Sequence, residues 1–134
     1  MCDISIIIIS WNALHFLKKC LPSVYEKNRN TSFELILIDN NSTDGSREYI
    51  TRNFPEAKYI HNEQNRGVAP ARNQGFAVAK GKYILILDVD TEFITENALD
   101  ELVSFMKTDE KIGLIGAQLV SSDGEIQKTC LKFP

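Results

Sequence analysis

The sequence is poor in cysteine and has no long hydrophobic segment. Its three cysteines, Cys2, Cys20 and Cys130, are widely separated and form no Cys-x-x-Cys pair, which argues against a disulfide framework and a zinc site. The apolar run at residues 4–10 is too short to cross a bilayer and carries neither a basic leader nor a cleavage site. We therefore expect a cytoplasmic protein with reduced thiols.

Positive charge is also sparse and scattered. The chain has 15 Lys and Arg residues against 18 Asp and Glu residues, which gives a net charge of −3 at pH 7. No nucleic-acid partner is expected, because nucleic-acid binding needs concentrated positive charge. Hydrophobic residues make up 43% of the 134 residues, enough to bury a real core. We therefore predict a single globular domain over residues 1–134.

Apolar strands alternate with amphipathic helices along the chain. Apolar runs without polar alternation indicate strands covered on both faces, and hydrophobic residues spaced by three or four positions indicate the covering helices. The predicted strands are 4–10, 33–38, 57–60, 83–90 and 112–120, and the predicted helices are 13–26, one ending near 53, 68–79 and 95–107. This order predicts an α/β fold with a mainly parallel sheet and helices on both faces.

Two turn-forming features are expected to modify these elements. Pro22 lies inside the first predicted helix and should kink or shorten it, since proline lacks an N–H donor. The sequence Ser-Ser-Asp-Gly at 121–124 favours a tight turn, because Asp-Gly accepts the backbone angles that hairpins need. We therefore expect a hairpin from the last strand into residues 125–131.

Two aspartates, Asp88 and Asp90, end the apolar run that begins at Tyr83. A lone Asp-x-Asp also fits an ordinary turn, so the other strand ends must decide. In a parallel sheet, Trp11 after the first strand and Asp39 after the second reach the same edge. An aromatic ring and several acids at one edge suit a nucleotide with a diphosphate. Because no Gly-x-Gly-x-x-Gly or P-loop is present, a divalent metal is expected to hold the phosphates.

Four motifs in succession resemble one enzyme family. They are SIIIISWN at 5–12, LILIDNNSTDGS at 35–46, NRGVAPARNQG at 65–75 and LDVD at 87–90. In this order they resemble the nucleotide-binding part of inverting family 2 glycosyltransferases, whose GT-A fold is Rossmann-like with a mainly parallel sheet. The final stretch, 123–134, is similar to the rhamnosyltransferase-like branch. The resemblance covers essentially the whole chain.

The resemblance implies a nucleotide-diphospho-sugar donor and a role for each matching residue. Trp11 would lie against the base, and Asp39 would accept a hydrogen bond from its edge. Arg72 would contact the base or the diphosphate, and Asp88 the ribose or sugar hydroxyls. Asp90 would ligate Mg²⁺ or Mn²⁺ bridging the two phosphates. The implied donor-binding set is Ser10, Trp11, Asn12, Asp39, Asn41, Gly67, Arg72, Asp88, Val89 and Asp90.

The implied reaction transfers a sugar to a glycan or lipid-linked acceptor in cell-surface polysaccharide synthesis. Such a reaction needs a general base, and no motif assigns one among the available acids Asp109, Glu110, Asp123 and Glu125. We expect the chain to be truncated and to lack the acceptor half. Such a chain would bind the donor but would not transfer sugar. The resemblance leaves open a homodimer and association of the full-length protein with the inner face of the membrane.

Two other functions fit the same residues. One is a nucleotide-binding module without chemistry. The other is a sugar nucleotidyltransferase, which would carry a Gly-rich phosphate loop that this sequence lacks. His15 and His61 have no partner motif and are interpreted as incidental. Asn65 is expected to pin a loop, and Gly67 and Gly75 to serve backbone geometry or close packing.

Overall fold

The structure, a computed structural model, describes residues 2–127. The chain divides into two compact units, Met1–Asp100 and Glu101–Pro134, so the single domain over 1–134 stays a prediction. The regular elements, in chain order, are β1 (Ile4–Ser10), α1 (Leu14–Lys27), β2 (Phe33–Asp39), α2 (Ser46–Asn53), β3 (Lys58–His61), α3 (Val68–Val78), β4 (Tyr83–Ile86) and α4 (Ala98–Met106).

The strands form one parallel sheet in the order β3-β2-β1-β4. Its register places Ser10 beside Asp39 and Asp39 beside His61. Because all of these strands run in the same direction, their carboxyl ends lie at one edge of the sheet. The predicted α/β fold with a parallel sheet is confirmed.

One face of the sheet is covered by α3. Side chains alternate along a strand, so Ile7 of β1 and Ile36 and Ile38 of β2 share the face on which they pack with Ala71 of α3. The helix lies close to the sheet at Gly75, where a Cβ would come within 2.7 Å of Cγ2 of Ile7. The predicted packing role of Gly75 is confirmed.

The opposite face of the sheet is equally well buried. Its layer contains Ile6, Ile8, Leu35 and Leu37 from the strands, Leu17, Leu21 and Val24 from α1, and Ile50 from α2. Each such side chain contributes about 1.5–3 kcal/mol when it is fully buried. α1 continues through Pro22 to Lys27, so the expectation that this proline shortens the helix is wrong. Helices therefore cover both faces, as predicted.

The fourth strand differs from its prediction in length and in burial. We expected a strand over 83–90 that is covered on both faces, but β4 ends at Ile86 and its burial alternates. Ile84 and Ile86 are 47% and 44% exposed, because β4 lies at the edge of the described sheet. Beyond the strand, the chain turns where the backbone N–H of Thr91 donates to the carbonyl of Asp88 at 3.1 Å.

The predicted strand at 112–120 is wrong. Residues 112–119 have no regular structure, and Leu114 is 90% exposed. A strand needs a partner to satisfy its backbone groups, and within the described residues this segment pairs only through an isolated antiparallel bridge from Val120 to Ile126. The predicted turn at 121–124, which lies between the two bridged residues, is confirmed, with Gly124 at φ 86°. Residues 128–131 of the predicted hairpin lie outside the described residues.

The fourth helix begins later than the predicted residue 95. Asn97 adopts a left-handed φ of 58°, and its N–H donates to the carbonyl of Lys27 at 2.6 Å. Helical geometry therefore starts only at Ala98. Over residues 2–127, the helices are all too short or too polar to cross a bilayer.

Candidate functional site

A cleft of about 450 Å³ lies at the carboxyl edge of the sheet. It is lined by the chain after β1, the start of α3 and the end of β4. It brings together most of the residues that the resemblance selected. These are Trp11, Asn12, Gly67, Arg72, Asp88, Val89 and Asp90.

The loop after β1 is held by the loop after β2. Asn12 adopts a left-handed φ of 48°, and its Oδ1 accepts a hydrogen bond from the backbone N–H of Thr43 at 2.8 Å. Its own N–H donates to Oγ of Ser42 at 2.9 Å. These bonds fix the backbone beside Trp11, whose side chain is 58% exposed. An exposed aromatic ring on a fixed backbone can stack against a flat ligand.

Asp44 joins the starts of two helices. Its Oδ2 accepts a hydrogen bond from the N–H of Leu14 at 2.8 Å, and its Oδ1 accepts bonds from the N–H and hydroxyl of Ser46. Burial alone would raise the pKa of this carboxyl, but these hydrogen bonds outweigh it and lower the pKa. The ionised carboxylate thus satisfies N–H groups that α1 and α2 leave free at their first turns.

Asp39, at the end of β2, is completely buried. Its Oδ1 accepts hydrogen bonds from the backbone N–H and the hydroxyl of Ser42. Its Oδ2 accepts one from the hydroxyl of Tyr59, and burial together with this carboxylate raises the pKa of Tyr59. Asp39 is therefore held by the protein itself and lies outside the residues that line the cleft.

His61 has a partner that the sequence did not reveal. Its Nδ1 lies 3.4 Å from Oδ2 of Asp39, because the register of β2 and β3 sets the two residues side by side. The contact gives His61 a structural partner, and its interpretation as incidental to catalysis stays a prediction. No local motif could have indicated this contact, since the pairing joins residues that are distant in the sequence.

Asp88 and Asp90 present their carboxylates very differently from Asp39. The side chain of Asp88 is 77% exposed, and its Oδ1 lies 3.9 Å from Nη2 of Arg72. Asp90 is exposed, and its carboxylate receives no hydrogen bond or ion pair from any described residue. Both carboxylates line the cleft and are free to bind a cation or a polar ligand.

These two carboxylates fit a hard divalent cation. Across residues 2–127, no group of three His, Cys, Asp or Glu side chains could hold a metal ion. Mg²⁺ characteristically takes one or two carboxylates and completes its shell with waters and substrate phosphates. Asp90, with Asp88 two residues before it, matches that kind of site.

The pKa of the buried Cys20 thiol is raised in part by the negative charge of this region. Burial, reinforced by the charges of Glu92 and Asp90, raises the pKa of Cys20 to about 12. The thiol is therefore neutral at physiological pH and serves as a core side chain, since thiolates and not thiols act as nucleophiles. Cys2 and Cys20 are both free, as predicted, and Cys130 lies outside the described residues.

The start of α3 brings positive charge to the cleft. Arg72 lies in the first turns of the helix, and its Nε is buried without a hydrogen-bond partner among the described residues. Gly67 precedes the helix at φ 80° and ψ 174°, a conformation that is essentially restricted to glycine. Its N–H donates to Oδ1 of Asn65 at 2.8 Å, which confirms the predicted structural roles of Asn65 in pinning the loop and of Gly67 in backbone geometry.

Some residues of the site differ from the prediction. Ser10 and Asn41 were predicted to bind the donor but lie outside the cleft lining. Ser10 is buried and its hydroxyl has no partner among the described residues, whereas Asn41 is exposed with a left-handed φ of 69°. Conversely, Asn40 and Phe16 line the cleft without having been predicted. Asn40 could have been inferred from its place after Asp39, whereas no signal indicated Phe16.

A family model and several known proteins are similar to this chain. A family model for Glycosyl transferase family 2 matches residues 5–130. TuaG of Bacillus subtilis (strain 168), provisionally named a teichuronic acid biosynthesis glycosyltransferase, is 29% identical over 124 residues, which are 90% of this chain and 49% of TuaG. The chain spans about a quarter to a half of the length of the curated relatives it matches.

Two solved structures share the fold. S. aureus TarS 1–349 in complex with UDP is 25% identical, with a TM-score of 0.69 over 78% of this chain and 32% of TarS. The mannosyltransferase PcManGT from Pyrobaculum calidifontis, in complex with GDP-Man and Mn²⁺, is 22% identical, with a TM-score of 0.71 over 81% of this chain and 35% of that protein. The predicted GT-A fold is confirmed. Because the family model spans nearly all of the sequence, the chain belongs to glycosyl transferase family 2.

Proposed function

We propose that this chain binds the nucleotide-diphospho-sugar donor of a metal-assisted, inverting glycosyltransferase. The observation that carries the proposal is the cleft at the sheet edge, where Asp88 and Asp90 share one lining with Trp11 and Arg72. An exposed ring suits a base, a guanidinium suits phosphates, and free carboxylates suit a metal or sugar hydroxyls. The cleft volume of about 450 Å³ lies within the range of small-molecule sites.

The base of the donor stacks on Trp11 in this proposal, and Asp39 reads its edge. Both oxygens of Asp39 already accept hydrogen bonds within the protein. The base would therefore replace the longest of these contacts, the one from His61 at 3.4 Å. Ser10, Asn12 and Asn41 would then support the base-binding loops. The complexes of TarS with UDP and of PcManGT with GDP-Man support a nucleotide ligand.

A divalent cation, Mg²⁺ or Mn²⁺, would be held by Asp90. Such an ion stabilises the negative charge that develops on a nucleoside diphosphate as it leaves. Asp88 would hydrogen-bond ribose or sugar hydroxyls, Arg72 would neutralise part of the diphosphate charge, and Gly67 and Val89 would supply backbone surface. The Mn²⁺ bound to PcManGT supports the choice of ion.

The acceptor in this proposal is a glycan or a lipid-linked saccharide, in cell-surface polysaccharide synthesis. The provisional role of TuaG in teichuronic acid biosynthesis supports this class. We assign no general base among the described residues. Membership of the rhamnosyltransferase-like branch, a cytoplasmic location at the inner face of the membrane and a homodimer stay predictions.

The metal dependence is tested by Asp90→Ala. We expect the substitution to remove the Mn²⁺-dependent part of UDP or GDP affinity, because Asp90 is the proposed protein ligand. Isothermal titration calorimetry with and without Mn²⁺ measures this part directly. The matched control is Asp3→Ala, which removes another exposed aspartate. Asp3 lies just before β1, at the amino end of that strand, whereas the cleft lies at the carboxyl ends. Equal affinity with and without Mn²⁺ in the unmutated protein would refute the proposal.

The role of Asp39 is tested by Asp39→Asn. The substitution keeps the shape of the side chain and removes its charge, so it should weaken nucleoside binding by about 1.5–3 kcal/mol, the value of a charge-assisted hydrogen bond. Because the proposed metal ligand Asp90 lies beyond the end of β4 and not on β2, the Mn²⁺ dependence should not change. Titration with uridine and guanosine measures the effect, and unchanged affinity for both would remove Asp39 from base recognition.

A further inference from the structure

A network of three side-chain amides reaches the cleft through Asn40, which is one of its lining residues. Asn62 and Gln74 form a reciprocal pair, with Nδ2 of Asn62 donating to Oε1 of Gln74 at 2.9 Å and Nε2 of Gln74 donating to Oδ1 of Asn62 at 2.8 Å. Nδ2 of Asn62 also donates to Oδ1 of Asn40 at 2.9 Å. The amide of Asn40 then donates to the carbonyl of Gly67 at 3.1 Å.

The network connects three elements to one point of the cleft. Gln74 lies on α3, Asn62 follows β3, and Asn40 follows β2. The backbone N–H of Asn62 also donates to the carbonyl of Asp39 at 2.8 Å, which fixes Asn62 to the sheet. Asn40 and Asn62 are only 2% and 4% exposed, so each amide has its orientation set by its neighbours and not by water.

The end of the network, Gly67, adopts an unusual backbone conformation. At φ 80° and ψ 174° it occupies a region that is strained for other residues and persists only where the surroundings impose it. Its carbonyl is held by Asn40 and its N–H by Asn65. A Cβ at this position would meet no atom within 4 Å. The glycine is therefore required by the backbone angle and not by lack of space.

We propose that Asn40, Asn62 and Gln74 are positioning residues for the donor. They hold Gly67, and with it the first turns of α3 and Arg72, in the geometry that binds the donor before the donor arrives. This inference rests on the proposed function of the same cleft. Preorganised groups raise affinity because less ordering is needed on binding.

A buried asparagine elsewhere in the chain supplies the matched control. Asn28 is 1% exposed, its Nδ2 donates to the carbonyl of Val24 at 3.1 Å, and its Oδ1 accepts from the N–H of Leu99 at 2.9 Å. It caps the end of α1 and lies outside the cleft lining. Its loss should lower stability without moving Gly67.

The experiment compares Gln74→Met with Asn28→Ala. Methionine keeps the length and helix propensity of glutamine but makes no comparable hydrogen bonds. Trp11 is the single tryptophan and lines the cleft, so its fluorescence reports titrations with UDP and GDP in the presence of Mn²⁺. Urea unfolding of both variants measures how far each is destabilised.

We expect Gln74→Met to raise the nucleotide Kd about tenfold, the lower end of the effect known for supporting residues around a site. Asn28→Ala should leave the Kd within about twofold of the unmutated protein, although it also loses buried hydrogen bonds. A Kd in Gln74→Met within that same range, or equal weakening by both variants, would overturn the proposal.

Hydrogen exchange separates this inference from the proposed function. If the unmutated protein binds neither UDP nor GDP, the proposed function fails, and exchange of the backbone amides at 65–72 then decides the role of the network. Exchange about tenfold faster in Gln74→Met but unchanged in Asn28→Ala would show that the network holds this segment. Equal rates in all three proteins would overturn the inference.

Discussion

Asp39 ends β2 and Asp88 follows β4, at the same edge of one parallel sheet, yet their carboxylates have opposite surroundings. Asp39 is fully buried and accepts hydrogen bonds from Ser42 and Tyr59. The side chain of Asp88 is 77% exposed, and its charged partner in the described part of the chain is Arg72, at 3.9 Å. An acid at a strand end can therefore have its oxygens occupied by the protein before any ligand binds, as in Asp39, or be left largely open to solvent, as in Asp88.

The position of each strand in the sheet explains this difference. β2 has β1 on one side and β3 on the other, so β3 brings Tyr59 and His61 to Asp39. β4 lies at the edge of the described sheet and has only β1 beside it. Among residues 2–127, the acids after β4 consequently have few partners: Arg72 lies 3.9 Å from Asp88, and the carboxylate of Asp90 has none.

The largest expected effect is that of Asp39→Ala on stability. The substitution leaves the part-buried hydroxyl of Tyr59 and the N–H of Ser42 without their acceptor, so the free energy of unfolding should fall by about 3 kcal/mol. Urea unfolding followed by circular dichroism measures this change. A loss below about 1 kcal/mol would show that Asp39 is not part of the scaffold.

A smaller effect is expected at Asp44, whose carboxylate serves the starts of α1 and α2. Asp44→Ala should lower the free energy of unfolding by about 1 kcal/mol at pH 7. Because the folded pKa of Asp44 is lowered, its contribution is present above the unfolded pKa of about 3.9 and is lost as the pH falls through the folded pKa. Urea unfolding at pH 7 and near pH 2 should therefore show a difference between the two proteins that disappears in acid.

The smallest effect on stability is expected for Asp88→Ala. Its carboxylate is exposed, and an exposed ion pair is worth about 0–1 kcal/mol, so the free energy of unfolding should change by no more than about 0.5 kcal/mol. Affinity for a nucleotide sugar should nevertheless fall, which calorimetry with UDP-glucose measures. A large loss of stability here would remove the contrast with Asp39.

Local patterns in the sequence determined most of the sheet and the outline of the site. The predicted first strand agrees with β1 at both ends, and the second agrees with β2 within one residue. Trp11 and Asp90 were correctly placed at one cleft. Such predictions succeed because an apolar run and the polar residues that end it are local features, and parallel pairing carries all strand ends to one edge.

Tertiary structure alone decided how each polar residue is used. The sequence around Asp39 and Asp88 does not show which of the two acids is buried and which is exposed. It also does not show that His61 lies beside Asp39. It also predicted a strand at 112–120 that the chain does not form, and it did not reveal the amide pair of Asn62 and Gln74. These features depend on which strand or helix packs alongside, a choice made by residues far apart in the sequence.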